Sequence, residues 1–281
     1  MNSHSEINRL IRTLSRSADL LEPEAYQAVC DVIRQSQAGS GAFMDRGKQP
    51  DWYYSFFGFL ICTAFGLKNE LTRLRHYVLK SDRAGDQNLV DWSVWVLLRY
   101  SFKPGFLFKL ITSIRLLTRW MKDRHDTDPV YLTFLTLLIL NHFWRSSRFI
   151  SRPVDKLTSA SHFNGHSPTS HLAAAICIRS HVNLDSGDLS AILMKRAHPG
   201  GGFVSFRDQG TADMLSTAVA AYSLRQAHTD ISLLAAGGLK YVSAHFDNGA
   251  FLSGDGDPTR DVEYTFYGLL ALSAYAQPVS G

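Results

Sequence analysis

The stretch that decides the fold reads Gly249-Ala250-Phe251, then a polar loop as far as Asp261, then Val262-Glu263-Tyr264-Thr265-Phe266-Tyr267-Gly268-Leu269-Leu270-Ala271-Leu272. A glycine-aromatic turn is followed by a loop, and an aspartate precedes a segment that is apolar on nearly every side. Aspartate is a favourable N-cap because its carboxylate accepts hydrogen bonds from the first free amides of a helix. The stretch therefore predicts a loop that leads into a buried helix.

The same unit occurs twice more in the chain. Gly201-Gly202-Phe203 precedes Asp213, and Gly41-Ala42-Phe43 precedes Asp51, and each aspartate opens an apolar run. The step from Phe to Asp is ten residues in the two later copies and eight in the first. Self-similarity of this kind is typical of repeat architectures, in which each unit needs its neighbours to bury its apolar face.

Weaker copies that lack the glycine-aromatic turn start at Asp91, Asp128 and Ser167. Six apolar helices are thus predicted to start near residues 51, 91, 128, 167, 213 and 261. Helical periodicity predicts amphipathic helices between them, at about Glu24–Gln35, Glu70–Leu79, Phe106–Met121, Phe143–Leu157, Leu189–Ala197 and Ile231–His245. No segment shows a convincing period of two, so no strand is predicted.

This alternation predicts an all-α fold. A helix that is apolar all round has to be buried, whereas one with a charged face can lie outside. Six such pairs closed in a ring form a single α/α toroid of six helical hairpins, an (α/α)6 barrel. It would occupy residues 1–281 as one domain, with a helical extension at 1–22 and repeats from about 24 to 277. A ligand should bind where the apolar helices begin, at one end of the central cavity.

Composition excludes few classes of function. The chain has 281 residues, 45% of them hydrophobic, and a net charge of +4 without a dense basic run, which does not indicate nucleic-acid binding. Three dispersed cysteines, Cys30, Cys62 and Cys177, are typical of reduced thiols. The polar N-terminus lacks the apolar core of a signal peptide. A cytoplasmic location is expected, with peripheral contact with a membrane as an alternative.

The repeat resembles that of protein prenyltransferase β-subunits and squalene-type terpenoid cyclases. The resemblance rests on Gly-Gly-Phe followed by a loop and an Asp-capped helix, and above all on residues 263–272. It covers the chain from about residue 24 onward. It implies the toroid and a central cavity for an isoprenoid, although one fold hosts several chemistries.

In the prenyltransferases, one inner helix opens Asp-x-Cys and the last opens Asp-x-x-His, and these side chains hold zinc. Here the corresponding residues are Asp213 with Leu215, and Asp261 with Tyr264. Only Asp213 remains of the three zinc ligands, and a lone carboxylate is not a zinc site. The resemblance therefore implies a zinc-free protein, in which no metal is expected unless Mg²⁺ accompanies a diphosphate ligand.

In the cyclases, the same helix opens Asp-x-Asp, and the middle Asp protonates an alkene. Leu215 stands in that place and has no proton to give. Glu263, two residues after Asp261, is the acid at the corresponding position of the last helix. The expected catalytic residues are therefore Glu263, Asp213 and Asp261, with Glu263 as the substitute acid.

Two arginines are candidate anion binders. In the prenyltransferases, an Arg six residues before the zinc Asp binds diphosphate, and Arg207 lies six residues before Asp213. Arg260 directly precedes the last helix. The forked guanidinium suits phosphate, although loop arginines are common.

Aromatic residues near the helix starts are candidates for the wall of an isoprenoid pocket. They are Trp52, Tyr53, Trp92 and Tyr264, and core packing explains them equally well. His171 belongs to a sequence cluster with His162, His166 and His198. Capping and loop roles, or a metal site, are the two interpretations of that cluster. His171, at the start of the fourth apolar helix, is also a candidate ligand-binding residue.

The segment Lys103–Trp120 is basic and amphipathic. It could contact a membrane surface, or it could be an ordinary outer helix with solvated Lys and Arg side chains. The sequence leaves both interpretations open.

Three classes of function follow from these observations. The first is a zinc-free, prenyltransferase- or cyclase-like protein that binds an isoprenoid or a similar apolar ligand and, if it is an enzyme, starts a cyclisation or handles a diphosphate. The second is a toroidal binding or scaffold module without catalysis. The third is a glycosidase-type enzyme, for which Asp257 and Glu263 are the nominal carboxylate pair. The sequence does not show whether a protein partner is needed.

Overall fold

The computed structural model describes residues 5–81, 88–123, 129–144 and 151–276. Within these ranges the chain is mainly helical, which confirms the all-α prediction. The α-helices are α1 Glu6–Leu20, α2 Pro23–Gln35, α3 Trp52–Ala64, α4 Lys68–Lys80, α5 Leu89–Phe102, α6 Phe106–Asp123, α7 Pro129–Trp144, α8 Ser151–Leu157, α9 Thr169–His181, α10 Gly187–Met194, α11 Met214–Gln226, α12 Ser232–Ala244 and α13 Val262–Ala276. A short 3₁₀ turn spans Ala160–His162.

Three short antiparallel hairpins accompany the helices, where no strand was predicted. They pair β1 Phe43–Met44 with β2 Pro50–Asp51, β3 Phe203–Val204 with β4 Ala212–Asp213, and β5 Phe246–Asp247 with β6 Ala250–Phe251. Each strand has two residues, too few to show a period of two in the sequence. The first two hairpins pair the phenylalanine of the glycine-aromatic turn with the capping aspartate, whereas the third encloses Asn248-Gly249 and ends at Phe251.

The apolar helices form a closed cycle of contacts. We call α3, α5, α7, α9, α11 and α13 the core helices, and the even-numbered helices between them the flanking helices. Each core helix contacts the next, and α13 contacts α3. The flanking helices α4, α6 and α8 each contact the core helices before and after them, and α2 contacts α13.

The first helix lies against the C-terminal ends of core helices. The amide of Glu6 donates to Asn141 Oδ1 near the end of α7 at 2.9 Å. Arg9 Nη1 donates to Gln226 Oε1, at the end of α11, at 2.7 Å. The Ser15 hydroxyl lies 3.4 Å from the carbonyl oxygen of Ala64, the last residue of α3. Helix α1 therefore covers the end of the core that is opposite to the helix starts.

Glycine is required in the repeated turn because another chain segment approaches it closely. Gly41 has φ +97°, and a Cβ there would lie 2.4 Å from the carbonyl oxygen of Arg73 in α4. At Gly249, with φ +89°, the Cβ would lie 2.2 Å from the carbonyl oxygen of Ala28 in α2. Gly249 thus packs the last repeat against the first flanking helix, which brings the two ends of the repeat array together.

The aromatic residue of each turn is a core anchor. Phe43, Phe203 and Phe251 are fully buried. The amide of Phe43 donates to Ser55 Oγ, and that of Phe203 donates to Thr217 Oγ1, each at 2.9 Å. These hydroxyls lie four residues after the capping aspartate, so the cap and the hydroxyl together tie the turn to its core helix.

Three of the predicted N-caps are confirmed by geometry. The carboxylates of Asp51, Asp213 and Asp261 accept from the amide three residues later at 2.7–2.8 Å. The prediction for Asp91 was wrong, because α5 begins two residues earlier and Asn88 caps it, accepting from the Asp91 amide at 2.8 Å.

The prediction for Ser167 was also wrong, because Pro168 occupies the N-cap of α9 and no side chain caps that helix. The proposed cap at Asp128 lies outside the described residues. The helix predicted at Phe143–Leu157 is corrected to α8, because Phe143 belongs to α7.

The core is one cluster of buried apolar side chains drawn from α1 and from all the core helices. Among the residues that the structure describes, none of the helices combines the length and the apolarity that crossing a membrane requires.

Candidate functional site

A cavity of about 320 Å³ lies between the core helices. All six core helices and α1 contribute to its lining, which consists of Glu6, Leu10, Tyr53, Phe56, Phe57, Leu60, Val90, Val94, Leu97, Tyr131, Phe134, Leu135, Leu138, Ser170, His171, Ala173, Ala174, Cys177, Leu215, Val219, Tyr222, Phe266, Tyr267 and Leu270. The lining is mostly aliphatic and aromatic. Within the described ranges it contains no Lys or Arg.

One end of the cavity lies at the first turns of the core helices. Tyr53, Val90, Ser170 and Leu215 are the second residues of α3, α5, α9 and α11, and all four line the cavity. Equivalent positions in different helices therefore face the same space. The polar groups at this end include the phenols of Tyr53, Tyr131 and Tyr267 and the side chains of Ser170 and His171.

The opposite end is closed by α1. Glu6 is 6% exposed, and the Tyr222 phenol donates to its Oε1. Its Oε2 lies 3.4 Å from Arg9 Nη1 and 3.6 Å from His181 Nδ1. Burial raises the pKa of Tyr222 far above its ordinary value, so this phenol stays protonated and serves as a donor.

The predicted acid Glu263 lies behind the wall of the cavity. Its Oε1 accepts from the Tyr53 hydroxyl at 3.1 Å, and that hydroxyl is 3.4 Å from the Tyr267 hydroxyl. Tyr53 and Tyr267 line the cavity, whereas Glu263 does not. The sequence did not determine whether this acid faces the cavity. In the structure its carboxylate does not line the cavity and meets it through the phenol of Tyr53.

Glu263 is half-buried. Burial raises the pKa of its carboxyl above the ordinary value, against the opposing effect of the hydrogen bond from Tyr53. Burial and the neighbouring Tyr267 and Glu263 also raise the pKa of Tyr53. Tyr53 is therefore a neutral hydrogen-bond donor held in place by an acceptor.

Asp261, predicted as catalytic, has a structural environment. It is 5% exposed and does not line the cavity. Besides capping α13, it accepts from Arg46 Nε at 2.8 Å, and Arg46 Nη1 donates to Asp257 at 2.7 Å. Burial raises the pKa of Asp261, and the bonds from the Tyr264 amide and from Arg46 oppose that shift.

Asp213 is likewise engaged away from the cavity. One carboxylate oxygen caps α11, and the other accepts from the Ser205 hydroxyl. Leu215, at the place of the zinc ligand or of the cyclase acid, does line the cavity. The position from which the resembled enzymes do their chemistry is thus apolar here. Asp257 and Glu263, the nominal carboxylate pair of a glycosidase, do not line the cavity either.

The two predicted anion-binding arginines do not reach the cavity. Arg260 is exposed, and its Nε donates to Asp247 Oδ2 at 2.7 Å. Arg207 lies on an exposed loop, where its side chain is near Gly165. Neither arginine lines the space between the core helices, which corrects that expectation.

The aromatic candidates divide. Tyr53 lines the cavity as predicted, but Trp52 packs on Tyr77 of α4, with ring centroids 4.9 Å apart. Trp92 lies with Leu116 in a crevice towards α6. Tyr264 lies under the Arg46 guanidinium, 5.1 Å from its ring centroid. Trp52, Trp92 and Tyr264 are therefore not cavity residues.

Among the four clustered histidines, His171 lines the cavity, whereas His162 and His166 are exposed. His198 Nδ1 accepts from the Gly200 amide at 3.1 Å. Within the described part of the chain, no three His, Cys, Asp or Glu side chains converge closely enough to hold a metal ion. The metal interpretation of this cluster is therefore corrected.

Sequence reasoning missed Arg46 and the buried Glu6. Arg46 lies between Phe43 and the capping Asp51, as Arg207 lies between Phe203 and Asp213, and this shared place in the repeat was an available signal. Nothing local indicated Glu6, because its partners Tyr222 and His181 are distant in sequence.

No protein-family model, curated protein or solved structure matches this chain. A function is therefore inferred from the cavity and from the polar groups around it.

Proposed function

We propose that the chain is an α/α toroid of six helical hairpins, built like prenyltransferase β-subunits and terpenoid cyclases, and that it binds an isoprenoid or a similar apolar molecule in its central cavity. The closed cycle of contacts among the core helices supports the toroid. The sheath of flanking helices and the return of Gly249 onto α2 support it as well.

One observation carries the proposed ligand class. A space of about 320 Å³ remains between six core helices, and its lining is apolar and aromatic. This volume is at the lower end of the roughly 300–1,000 Å³ of ligand pockets. An empty apolar space forfeits the dispersion contacts that a hydrocarbon would supply. A protein without a ligand would gain stability by filling it with larger side chains.

The polar groups favour a neutral head group over a diphosphate. Tyr53, oriented by Glu263, offers a hydroxyl at one end. Ser170 and His171 lie on α9, which is opposite α3 in the cycle of core helices. In the described part of the lining there is no Lys or Arg to neutralise a phosphate. An alcohol or a carbonyl group on an isoprenoid chain fits this set, and Mg²⁺ with a diphosphate does not.

Binding without catalysis is the form of the proposal that the geometry favours. Leu215 faces the cavity where an acid would have to stand. The cyclase form is the second candidate, and it is favoured only by the Glu263–Tyr53 hydrogen bond, through which a proton could reach the cavity. If the protein is a cyclase, it should convert a polyene to a cyclic product, and the Tyr53→Phe variant should have lost this activity.

The test has two steps. Native mass spectrometry of protein isolated from cells should detect a co-purified apolar molecule. The delipidated protein is then titrated with farnesol and geranylgeraniol, with farnesyl diphosphate as the charged comparison. Val219→Trp, which places a large ring in the cavity, should abolish binding of the alcohols. Leu233→Trp, at a fully exposed position on α12, is the control and should bind normally.

A protein that carries no ligand and binds neither alcohol would refute the proposal. Preferred binding of the diphosphate would refute the neutral head group. Equal loss of binding in both variants would place the ligand elsewhere. Thermal melting of both variants shows whether they are folded.

A further inference from the structure

Helix α6 carries an exposed apolar face. In the described part of the chain, most of the exposed large apolar side chains lie on it or beside it: Phe106, Leu107, Leu110, Ile111, Ile114, Met121 and the adjoining Trp144. Leu107 is 70% exposed. Single exposed apolar side chains are ordinary, but a continuous group of this size marks a surface that meets another apolar phase.

Helix α6 has this exposed apolar face in addition to a buried one, on which Leu116 is 3% exposed and Leu117 packs against the core. Its buried side chains include Thr112 and Ser113, and the Ser113 hydroxyl accepts from Trp144 Nε1 at 2.7 Å. The flanking helix α4 shows the ordinary arrangement, because it buries Leu74 and Val78 and exposes charged and polar side chains. Helix α6 buries Leu116 in the same way, but it also exposes large apolar side chains, whereas α4 exposes charged and polar ones.

Basic residues accompany the apolar face, and α6 contains no acidic residue before its last position, Asp123. Residues 100–121 contain Lys103, Lys109, Arg115 and Arg119 and neither Asp nor Glu. Lys103 and Arg115 are exposed, and Lys109 Nζ lies 3.7 Å from the centroid of the Trp144 ring. An apolar face with a basic border complements a membrane that contains anionic lipids.

We propose that α6 docks the protein on the surface of an anionic membrane. The helix lies in the plane of the interface, with Leu107 and Ile111 inserted among the lipids and Arg115 near the head groups. Its exposed apolar face, from Phe106 to Met121, is about 22 Å long at 1.5 Å per residue. This surface docking goes beyond the proposed cavity ligand and does not depend on it, because the face lies outside the ring.

The test is sedimentation of the full chain with vesicles of phosphatidylcholine alone and of phosphatidylcholine with phosphatidylserine. The protein should sediment with the anionic vesicles, and added salt should weaken the binding because it screens the basic residues. Leu107→Ser and Ile111→Ser should each weaken partition on the order of tenfold. Leu233→Ser is the matched control: it removes a 97% exposed Leu from α12 and should change nothing.

A second pair of variants isolates the charge. Arg115→Gln should weaken binding to the anionic vesicles and leave the weak binding to phosphatidylcholine unchanged. Arg75→Gln on exposed α4 is its control. If the protein binds neither kind of vesicle, the proposal is overturned. It is also overturned by a concentration-dependent dimer, seen by light scattering, that Leu107→Ser disrupts, because α6 would then contact a second copy of the chain.

Discussion

The Arg46 guanidinium donates from Nε to the carboxylate of Asp261 at 2.8 Å, across 215 positions of sequence. Arg46 belongs to the loop of the first glycine-aromatic turn, and Asp261 caps the last core helix. The same guanidinium bonds to Asp257 and covers the ring of Tyr264. These contacts join the first and last repeats.

Arg46→Gln should destabilise the protein by about 1–3 kcal/mol, because it leaves the buried Asp261 without its cation. The effect is below that of a fully buried pair, since the Arg46 side chain is 39% exposed. Urea unfolding measures the change. Arg260→Gln is the control: its ion pair with Asp247 is exposed, so it should cost no more than about 1 kcal/mol. Equal losses in the two variants would contradict a special role for Arg46.

Gly58→Ala should destabilise the fold by about 1–3 kcal/mol, although alanine is the better helix former. A Cβ at Gly58 would lie 2.3 Å from the ring of Phe43, which is fully buried and cannot move aside. Gly39→Ala is the control, because nothing lies within 4 Å of its Cβ. The thermal midpoint of each variant is the measurement. A neutral or stabilising Gly58→Ala would show that Phe43 does not anchor the turn as described.

The helices were predictable because their signals are local. Asp51, Asp213 and Asp261 are followed by apolar runs, and α3, α11 and α13 begin at the next residue. The start of α5 was misplaced because asparagine is as good an N-cap residue as aspartate, and Asn88 precedes Asp91 in the chain.

Orientation around the core helices was not predictable. Trp52 and Tyr53 are adjacent on a helix that is apolar all round, so no periodicity shows which of them faces the cavity. Long-range partners such as Arg46 and Asp261 leave no local mark, since their pairing depends on the closure of the repeat array.

Replacing Tyr222 by Phe should cost about 1–3 kcal/mol, because it leaves Oε1 of the buried Glu6 carboxylate without its donor. Glu6→Gln should also destabilise the fold, and the double variant should lose less than the sum of the two single losses. Denaturant unfolding of the four proteins measures the coupling. Tyr26→Phe is the control, since that half-exposed phenol donates to the Phe65 carbonyl and not to a buried carboxylate. Additive losses would show that Glu6 and Tyr222 do not hold α1 together with α11.

The stability contribution of Glu263 should depend on pH with a definite sign. Its pKa is raised in the folded protein, so the folded state binds the proton more tightly than the unfolded state does. The stabilisation that Glu263 contributes is therefore complete below its ordinary pKa and is lost as the pH rises through its pKa in the folded protein. Glu263→Gln keeps an acceptor for Tyr53 and removes this loss. The stability of the variant relative to the unsubstituted protein should rise across that window and then level off. A difference that is constant with pH would contradict the raised pKa.

His142 should produce the opposite pH dependence. Burial lowers its pKa from 6.5 to about 4, and its Nδ1 has no hydrogen-bond partner among the described residues. His142 binds a proton more tightly in the unfolded protein than in the folded one. The stability that is present above the pKa of His142 in the unfolded protein is therefore lost as the pH falls towards its pKa in the folded protein. Between pH 7 and pH 5 the loss should be about 2 kcal/mol. His142→Leu should remove it, whereas His162→Gln, at an exposed position, should retain it. Urea unfolding at a series of pH values measures all three proteins, and the same acid-induced loss in His142→Leu would assign that loss to other groups.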